Sequence, residues 1–231
     1  MTSLPSRTLR VVVRSAACVA LSVLAACASP PTRFYTLAGG YRTAAAPGIS
    51  NTVRQVDVLA VRVPAPVAGS RLVVQNSPAR VDILEEDRWA SPVDDEIRTA
   101  LSTLITRRLN AVDVHRVPHD DNLPVYRVAV DVQRFESWPG SHVVIDAVWS
   151  VQATRGQQTL TCRSAIRENV ASGNDALVAG HRLALEAIAT EVAAGIRAVA
   201  AKPGSLAAFA TSESAMASAS TARCPASAGA S

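Results

Sequence analysis

Metal-ligating residue types gather at one place in the sequence. His115 and His119 lie four residues apart, and Asp120 and Asp121 follow directly. Imidazole and carboxylate groups can hold a divalent metal ion when the backbone points them at one centre. Pro118 stands between them and prevents the helix that would align the two rings, because proline cannot continue helical hydrogen bonding. We therefore predict a surface loop here and no metal site.

The other two histidines also have structural explanations. His142 begins a predicted strand and is expected to be exposed, whereas His181 lies on the apolar stripe of a predicted helix and is expected to be partly buried. The sequence contains no Gly-x-Ser-x-Gly elbow, no glycine-rich phosphate loop with lysine and no His-Glu-x-x-His. It brings together no nucleophile, base and orienting group. We predict neither catalytic residues nor a cofactor.

The N-terminal residues have the parts of a secretory signal. A basic stretch with Arg7, Arg10 and Arg14 precedes an apolar run from Ser15 to Ala26. This run is shorter than the roughly 20 apolar residues that a bilayer span needs, so it is typical of a signal peptide. Its end, Leu24-Ala25-Ala26-Cys27, resembles the lipobox of bacterial lipoproteins. An ordinary signal followed by an incidental cysteine is the alternative, and it leaves the position of Cys27 unexplained.

The lipobox resemblance implies that Cys27 is the lipid-attachment site and the first residue of the mature protein. Acyl chains such as palmitate on that cysteine would anchor the protein, since each buried CH₂ contributes roughly 0.8 kcal/mol. Ala28 and Ser29 follow instead of aspartate. By resemblance to sorted lipoproteins, this favours the outer membrane, facing the periplasm, over retention at the inner membrane.

Net charge excludes one class of function. The chain is formally +4, and the leader supplies three of those charges without any acidic residue. The remainder is close to neutral, so it lacks the broad basic surface expected of a nucleic-acid-binding protein.

Two cysteines remain after the leader and the lipobox. Cys162 and Cys224 would lie in a compartment that permits disulfides. Cys162 occupies an inward position of a predicted strand and Cys224 lies in a polar tail, which favours unpaired thiols. Sequence alone does not decide the pairing, so a bridge stays open.

Composition divides the chain into four parts. Residues 1–26 form the signal peptide, and residues 27–54 form a lipidated N-terminus and tether. Within that tether Phe34-Tyr35-Thr36-Leu37 is too apolar for a linker, and we expect it to dock on the domain. Residues 55–202 form the domain. The Ala/Ser-rich residues 203–231 lack the apolar content to pack and are expected to be disordered.

Periodicity within the domain predicts an α/β fold. It indicates a buried strand over Gln55–Val63, a hairpin around Asn76-Ser77-Pro78, and a three-stranded meander through residues 126–133, 143–151 and 160–166 with a turn at Pro139-Gly140. One long amphipathic helix is predicted to end at Leu109, and a second is predicted to begin near Asn174. Both would pack on a mixed β-sheet. The first helix is a crossover, which makes at least one strand pair parallel.

The first helix has a cluster of acidic residues at its start. Ser91 is predicted as the N-cap and Pro92 as the first helical residue. Asp94, Asp95 and Glu96 then occupy the first turn, where negative charge complements the helix dipole. This explains the acidic cluster without a metal site or acid–base chemistry.

The three tryptophans have different expected roles. Trp149 belongs to the predicted core, and Trp89, just before the first helix, is expected to pack locally. Trp138 lies at a predicted hairpin tip. Aromatic residues are enriched at protein interfaces, so Trp138 is a candidate contact for a partner.

Several segments carry a family resemblance. Leu72-Val73-Val74-Gln75-Asn76-Ser77, the strand Val81–Leu84, and Arg88-Trp89-Ala90-Ser91-Pro92 before the long helix resemble the ABC-type transport auxiliary lipoproteins, which are PqiC-like. Phe34-Tyr35-Thr36-Leu37 is similar to the segment that follows their lipidated cysteine. The run Val128–Gln133, a turn at Phe135, and Val143–Val151 with Trp149 also match their pattern.

The resemblance implies a periplasm-facing, non-catalytic lipoprotein with an anticodon-binding-domain-like α/β sandwich. It would assist an MCE-domain protein of an ABC-type system that moves lipids or other hydrophobic molecules between the two membranes. It offers no catalytic residues, so only Cys27 transfers as a site. Homo-oligomerisation stays open, and a direct lipid carrier or a cell-envelope hydrolase are the alternative functions.

Overall fold

The structure is a computed structural model, and it describes residues 31–40, 53, 55–155, 158–201 and 224. The predicted signal peptide, Cys27 and nearly all of the predicted tail lie outside the described residues. All secondary-structure elements belong to one compact unit, Arg33–Ser231. Their bounds in chain order are β1 Arg33–Tyr35, β2 Gln55–Val58, β3 Arg71–Ser77, β4 Arg80–Trp89, α1 Val93–Leu109, β5 Val112–Asp113, β6 Val125–Trp138, β7 His142–Ala153, β8 Thr159–Asn169 and α2 Asn174–Ala200, with a short 3-10 turn at Ala65–Val67.

The strands form two mixed sheets. A three-stranded sheet has the order β1-β4-β3, and a five-stranded sheet has the order β5-β2-β6-β7-β8. The β3–β4 hairpin and the meander β6–β8 are antiparallel, as predicted. Strand β2 pairs in parallel with both β5 and β6, as the crossover through α1 requires. The prediction of an α/β fold with a mixed sheet and two long helices is confirmed, with the strands divided between two sheets.

Helix α2 covers one face of the five-stranded sheet because its apolar stripe matches the inward residues of the meander. The predicted stripe is buried along its whole length: Leu177, His181, Leu185, Ile188, Val192, Ile196 and Val199. Each fully buried Leu or Ile contributes about 2 kcal/mol relative to an exposed one. Gly195 lets the helix approach closely, since a Cβ there would meet the ring of Trp149 at 2.9 Å.

Helix α1 begins one residue later than the sequence predicts. Pro92 is the N-cap and Ser91 lies outside the helix, so the predicted Ser91 cap is wrong. The Ser91 hydroxyl donates instead to the Glu96 carboxylate at 2.8 Å. Asn110, in the left-handed conformation at φ 49°, ends the helix.

A β-bulge in β6 changes which side chains face the helices. The register against β7 shifts between Val132 and Arg134, so one extra residue enters β6. Before the bulge the even-numbered residues point inward; after it Phe135 and Ser137 are buried. The predicted turn at Phe135 is therefore wrong, because β6 continues to Trp138. The bulge also places the Trp138 side chain on the face opposite the helices.

Candidate functional site

The segment after the predicted lipidated cysteine is fixed to the domain, as predicted for Phe34–Leu37. Strand β1 pairs in parallel with the end of β4, and Leu37 is fully buried. The Glu96 carboxylate accepts from the Thr36 hydroxyl at 2.8 Å and from the Leu37 amide at 2.7 Å. Glu96 is only 5% exposed, so it holds this segment in addition to lying in the first turn of α1.

A second carboxylate holds the start of the same segment. Asp87 forms an ion pair with Arg33 at 2.9 Å and accepts from the Tyr35 hydroxyl at 3.0 Å. Burial alone would raise the pKa of Asp87, but hydrogen bonds from Asn174, Arg33 and Tyr35 outweigh it and lower the pKa. The Arg182 guanidinium donates to the Thr36 carbonyl at 2.6 Å. Strand β4 and both helices therefore contribute contacts that hold residues 33–37 on the domain.

The loop that contains His115 and His119 holds two histidine–aspartate contacts and, among the described residues, no grouped metal ligands. His115 Nδ1 lies 2.8 Å from the Asp57 carboxylate on β2, and His119 is 3.6 Å from Asp121. Among the described residues, no three such side chains converge as metal ligands. The His115–Asp57 pair resembles the orienting half of a catalytic dyad. Within the same residues no hydroxyl or thiol hydrogen-bonds the other ring nitrogen of His115.

His181 and Trp89 belong to the junction between the sheets. The His181 ring stacks on Phe135 with centroids 4.0 Å apart, and Trp89 meets both rings edge-on. The His181 Nε2 atom is 2.8 Å from the Ser137 hydroxyl. Burial lowers the pKa of His181 to about 3, so the ring is neutral at ordinary pH. The prediction of local packing by Trp89 fits this cluster, whereas His181 is fully buried and not partly buried as predicted.

Cys162 and Cys224 form a disulfide in the structure. The Cys162 side chain is inward, as predicted, but β8 is the edge of the sheet. A partner sulfur can therefore reach Cys162 from beyond the sheet. The apolar alternation of β8 did not reveal that this strand lies at the edge. Cys224 also lies 3.4 Å from the Thr161 carbonyl, so it is fixed beside that edge.

The five-stranded sheet has a second face, which neither helix packs against, and two hollows lie on it. One, which we call the Arg167 hollow, has a volume of about 410 Å³. It lies at the β6–β7 turn, where the bulge places Trp138. Its lining consists of Arg134, Glu136, Trp138, His142, Val144, Ala165, Ile166 and Arg167.

One wall of the Arg167 hollow is a closed set of hydrogen bonds. Arg134 donates twice to the Glu136 carboxylate, at 2.8 and 3.0 Å, and the Trp138 indole N–H donates to the same group at 3.0 Å. The bonds from Arg134 lower the pKa of Glu136 against the opposing effect of burial. This carboxylate has its charge balanced by Arg134 and holds Trp138 in place.

The opposite wall presents an arginine without a carboxylate. The Arg167 guanidinium donates to His142 Nδ1 at 3.1 Å, and the His142 ring stacks on Trp138 with centroids 5.5 Å apart. Burial, and then the charge of Arg167, lower the pKa of His142, which keeps the ring neutral. In the part of the chain that the structure describes, no carboxylate pairs with Arg167.

The second hollow on this face, also of about 410 Å³, lies where β6, β7 and β8 carry small side chains. Ala129, Ser150 and Thr161 line it, and an ion pair between Arg62 and Asp131 at 2.6 Å borders it. We call it the small-residue hollow. Between the two hollows Arg163 pairs with the buried Asp146 at 2.5 Å.

Sequence reasoning identified Trp138 as a candidate contact and missed Arg167 and His142 as its neighbours. Trp138 and His142 are separated only by the turn, and a hairpin pairs the residues beside its turn, so their contact had a local signal. Arg167 comes from a third strand. Its register against His142 depends on the length of the β7–β8 connection, which the sequence pattern does not fix.

Comparison with known proteins supports the fold and identifies the family. The family model described as the ABC-type transport auxiliary lipoprotein component matches residues 35–193. A solved structure of an uncharacterised protein is 21% identical, with a TM-score of 0.58 over 72% of this chain and 99% of that one. Protein XCC0632 from Xanthomonas campestris, assigned to the family model DUF330, is 18% identical, with a TM-score of 0.57 over 74% and 98%.

Comparison with curated proteins finds no match. At such identities the solved structures support the fold alone, and they confirm the α/β class. No described helix combines the length and apolarity needed to cross a membrane. The family model covers well over half of the chain, and it is the family inferred from the segments around Trp89 and Phe34–Leu37. The protein belongs to the ABC-type transport auxiliary lipoprotein component family.

Proposed function

We propose that this protein is a non-catalytic adaptor, anchored in the outer membrane by acyl chains on Cys27 and facing the periplasm. It would dock on an MCE-domain protein of an ABC-type system that moves lipids or other hydrophobic molecules between the membranes. Family membership over residues 35–193 is the observation that carries this proposal. The finer statements rest on the sequence around Cys27 and on the contacts of the N-terminal segment.

The fixed position of β1 supports an adaptor that works close to the bilayer. Only six residue steps separate Cys27 from Arg33, where β1 begins. A fully extended chain spans at most about 3.3–3.6 Å per residue, so the reach between them is about 20 Å. Asp87 and Glu96 then hold the following residues on the domain. A protein held so near the membrane acts most simply by docking.

The side chains near the histidines support a non-catalytic role. His181 is enclosed by aromatic rings and the Ser137 hydroxyl, and His115 pairs with Asp57. These contacts explain both histidines as structural. A hydrolase would be established by a His115→Ala substitution that abolished a measured activity.

The anchor is tested by mass spectrometry of the mature protein isolated from its own membranes. We expect an N-terminus at acylated Cys27, and any other N-terminus would contradict the anchor. Cys27→Ser should lose membrane attachment and function while the fold persists, because acylation needs the thiol. A fully active, membrane-bound Cys27→Ser protein would contradict it as well.

The adaptor role is tested by isolating the protein in mild detergent from a strain that encodes an MCE-domain protein. Recovery of that protein with wild type supports docking, and repeated failure to recover it counts against docking. Lipid that copurifies in stoichiometric amount without the partner would favour the second candidate, a direct carrier.

A further inference from the structure

We propose that the sheet face opposite the helices is the docking surface for the transport partner, with the Arg167 hollow receiving an acidic side chain of that partner. This rests on the proposed adaptor function and adds the location and chemistry of the contact. The occupant we infer is a polypeptide segment that carries a carboxylate beside an apolar residue. The carboxylate would meet Arg167, and the apolar residue would lie against Trp138 and His142.

Charge favours an anion. The hollow is lined by two arginines and one glutamate, and the glutamate is balanced by Arg134. Arg167 is left with a neutral imidazole as its neighbour. A guanidinium presents its donors in a fixed fork that matches a carboxylate. A carboxylate placed here would form an ion pair with Arg167, the arginine in the hollow that lacks an acidic partner among the described residues.

The walls are already ordered before any partner arrives. The Trp138 ring is held by the hydrogen bond to Glu136 and by stacking on His142. Binding is stronger when the side chains that form the contact lose little freedom on association. Trp and Arg are also enriched among the residues that dominate interface energies. The hollow therefore has the composition and rigidity of an interface anchor.

A protein partner fits this face better than a lipid headgroup. The aliphatic residues that line the Arg167 hollow are Val144, Ala165 and Ile166, which is little surface for an acyl chain. The small-residue hollow lies on the same face. From Val144 to Ser150 along β7 is six residues, or roughly 20 Å at strand spacing. Two hollows at that separation suit an extended or helical segment lying along the sheet.

The experiment measures binding of the full-length lipidated protein, in detergent micelles, to the purified MCE-domain protein of the same strain. Arg167→Glu and Trp138→Ala should each weaken binding by about tenfold or more, as removal of an interface anchor does. Arg167→Gln should weaken binding less and reduce its salt dependence, because screening acts on the charge. Arg80→Glu is the matched control, since Arg80 lies in an ion pair on the β3–β4 hairpin and lines neither hollow, so this variant should leave the affinity unchanged.

The outcomes separate the two proposals. If wild type binds and the Arg167 and Trp138 variants bind equally well, the docking surface is wrong and the adaptor function stands. If wild type does not bind, the adaptor function itself fails. In a third arm, Cys27→Ser protein is mixed with vesicles of phosphatidylglycerol or phosphatidylcholine. Binding to phosphatidylglycerol that is lost with Arg167→Glu would overturn the choice of a protein occupant.

Discussion

On the face of the sheet that α2 covers, Trp149 donates to the Ser164 hydroxyl at 2.8 Å, and that hydroxyl donates to Glu191. On the opposite face Trp138 donates to Glu136, whose charge Arg134 balances, while Arg167 beside them contacts the His142 imidazole and no carboxylate of the described residues. Both faces use a tryptophan held by a hydrogen bond. On the covered face the polar groups bond to one another inside a packed interior; on the other face Arg167 has no acidic partner among the described residues, and we propose that a binding partner supplies one.

This difference teaches how to separate structural from functional polar groups in the protein. Most buried polar side chains find their hydrogen bonds within the protein, because leaving one unmade costs about 1–3 kcal/mol. A cation at the rim of a hollow can be left to water at little cost and then be used in binding. Substitutions on the covered face should therefore change stability, and substitutions at Arg167 should change binding.

The largest effect is expected for Trp149→Ala. Trp149 is 1% exposed and touches α2 at Gly195, so its loss removes a large buried ring and leaves Ser164 with one partner fewer. We expect a loss of about 3–5 kcal/mol in the free energy of unfolding, measured by urea titration. Trp138→Ala is the control on the opposite face and should cost about 1 kcal/mol or less. Equal losses for the two variants would show that the tryptophans on the two faces contribute equally to the free energy of unfolding.

The neutral state of His181 makes stability depend on pH. Because its pKa is about 3 in the folded protein and about 6.5 when unfolded, the unfolded state binds the extra proton between these values. Stability is fully present above about pH 6.5 and falls as the pH falls towards 3. At pH 4 this one group should cost about 3 kcal/mol.

The measurement is the unfolding free energy of wild type and His181→Gln between pH 7 and pH 4. The carboxylates common to both proteins contribute equally, so the difference between their pH slopes isolates His181. Parallel slopes would mean that His181 is protonated as readily in the folded protein as in the unfolded chain.

A smaller effect is expected where α2 approaches the sheet. In Gly195→Ala the new methyl group would lie 2.9 Å from the Trp149 ring and 3.1 Å from Leu160. Overpacking of this kind typically costs about 1–3 kcal/mol, and the better helix propensity of alanine offsets up to about 1 kcal/mol. Gly69→Ala, which has open space around the new methyl group, is the matched control. A Gly195→Ala protein as stable as this control would show that α2 can move away from Trp149.

The smallest effect on stability is expected at the Arg167 hollow. Arg167→Gln removes a charge that has no acidic partner among the described residues, so the free energy of unfolding should change by about 0.5 kcal/mol or less. Thermal unfolding checks this on the same preparation that is used for binding. A marked loss of stability would assign Arg167 a structural role and remove the contrast between the faces.

Periodicity predicted much of the fold because burial on one side leaves a repeating pattern. The stripe of α2 and the inward residues of β7 and β8 follow directly from the alternation of apolar residues. The alternation of apolar residues could not predict the bulge in β6, because one inserted residue leaves no signal in the composition. The bulge reverses the face of the sheet to which every later residue of β6 points. The second role of Glu96 was also hidden. Its partners Thr36 and Leu37 are about sixty residues away.

The sequence by itself determined the family, the α/β class and the cysteine at which an anchor is expected, since these depend on local motifs and on repeating burial patterns. Only the tertiary structure decided that residues 33–37 are held by Asp87 and Glu96, and that Cys162 at a sheet edge meets Cys224. It also decided that Trp138, His142 and Arg167 share one hollow. The physical reason is that strand register and bulges bring distant residues together. Neither feature can be read from the types of the residues that come into contact.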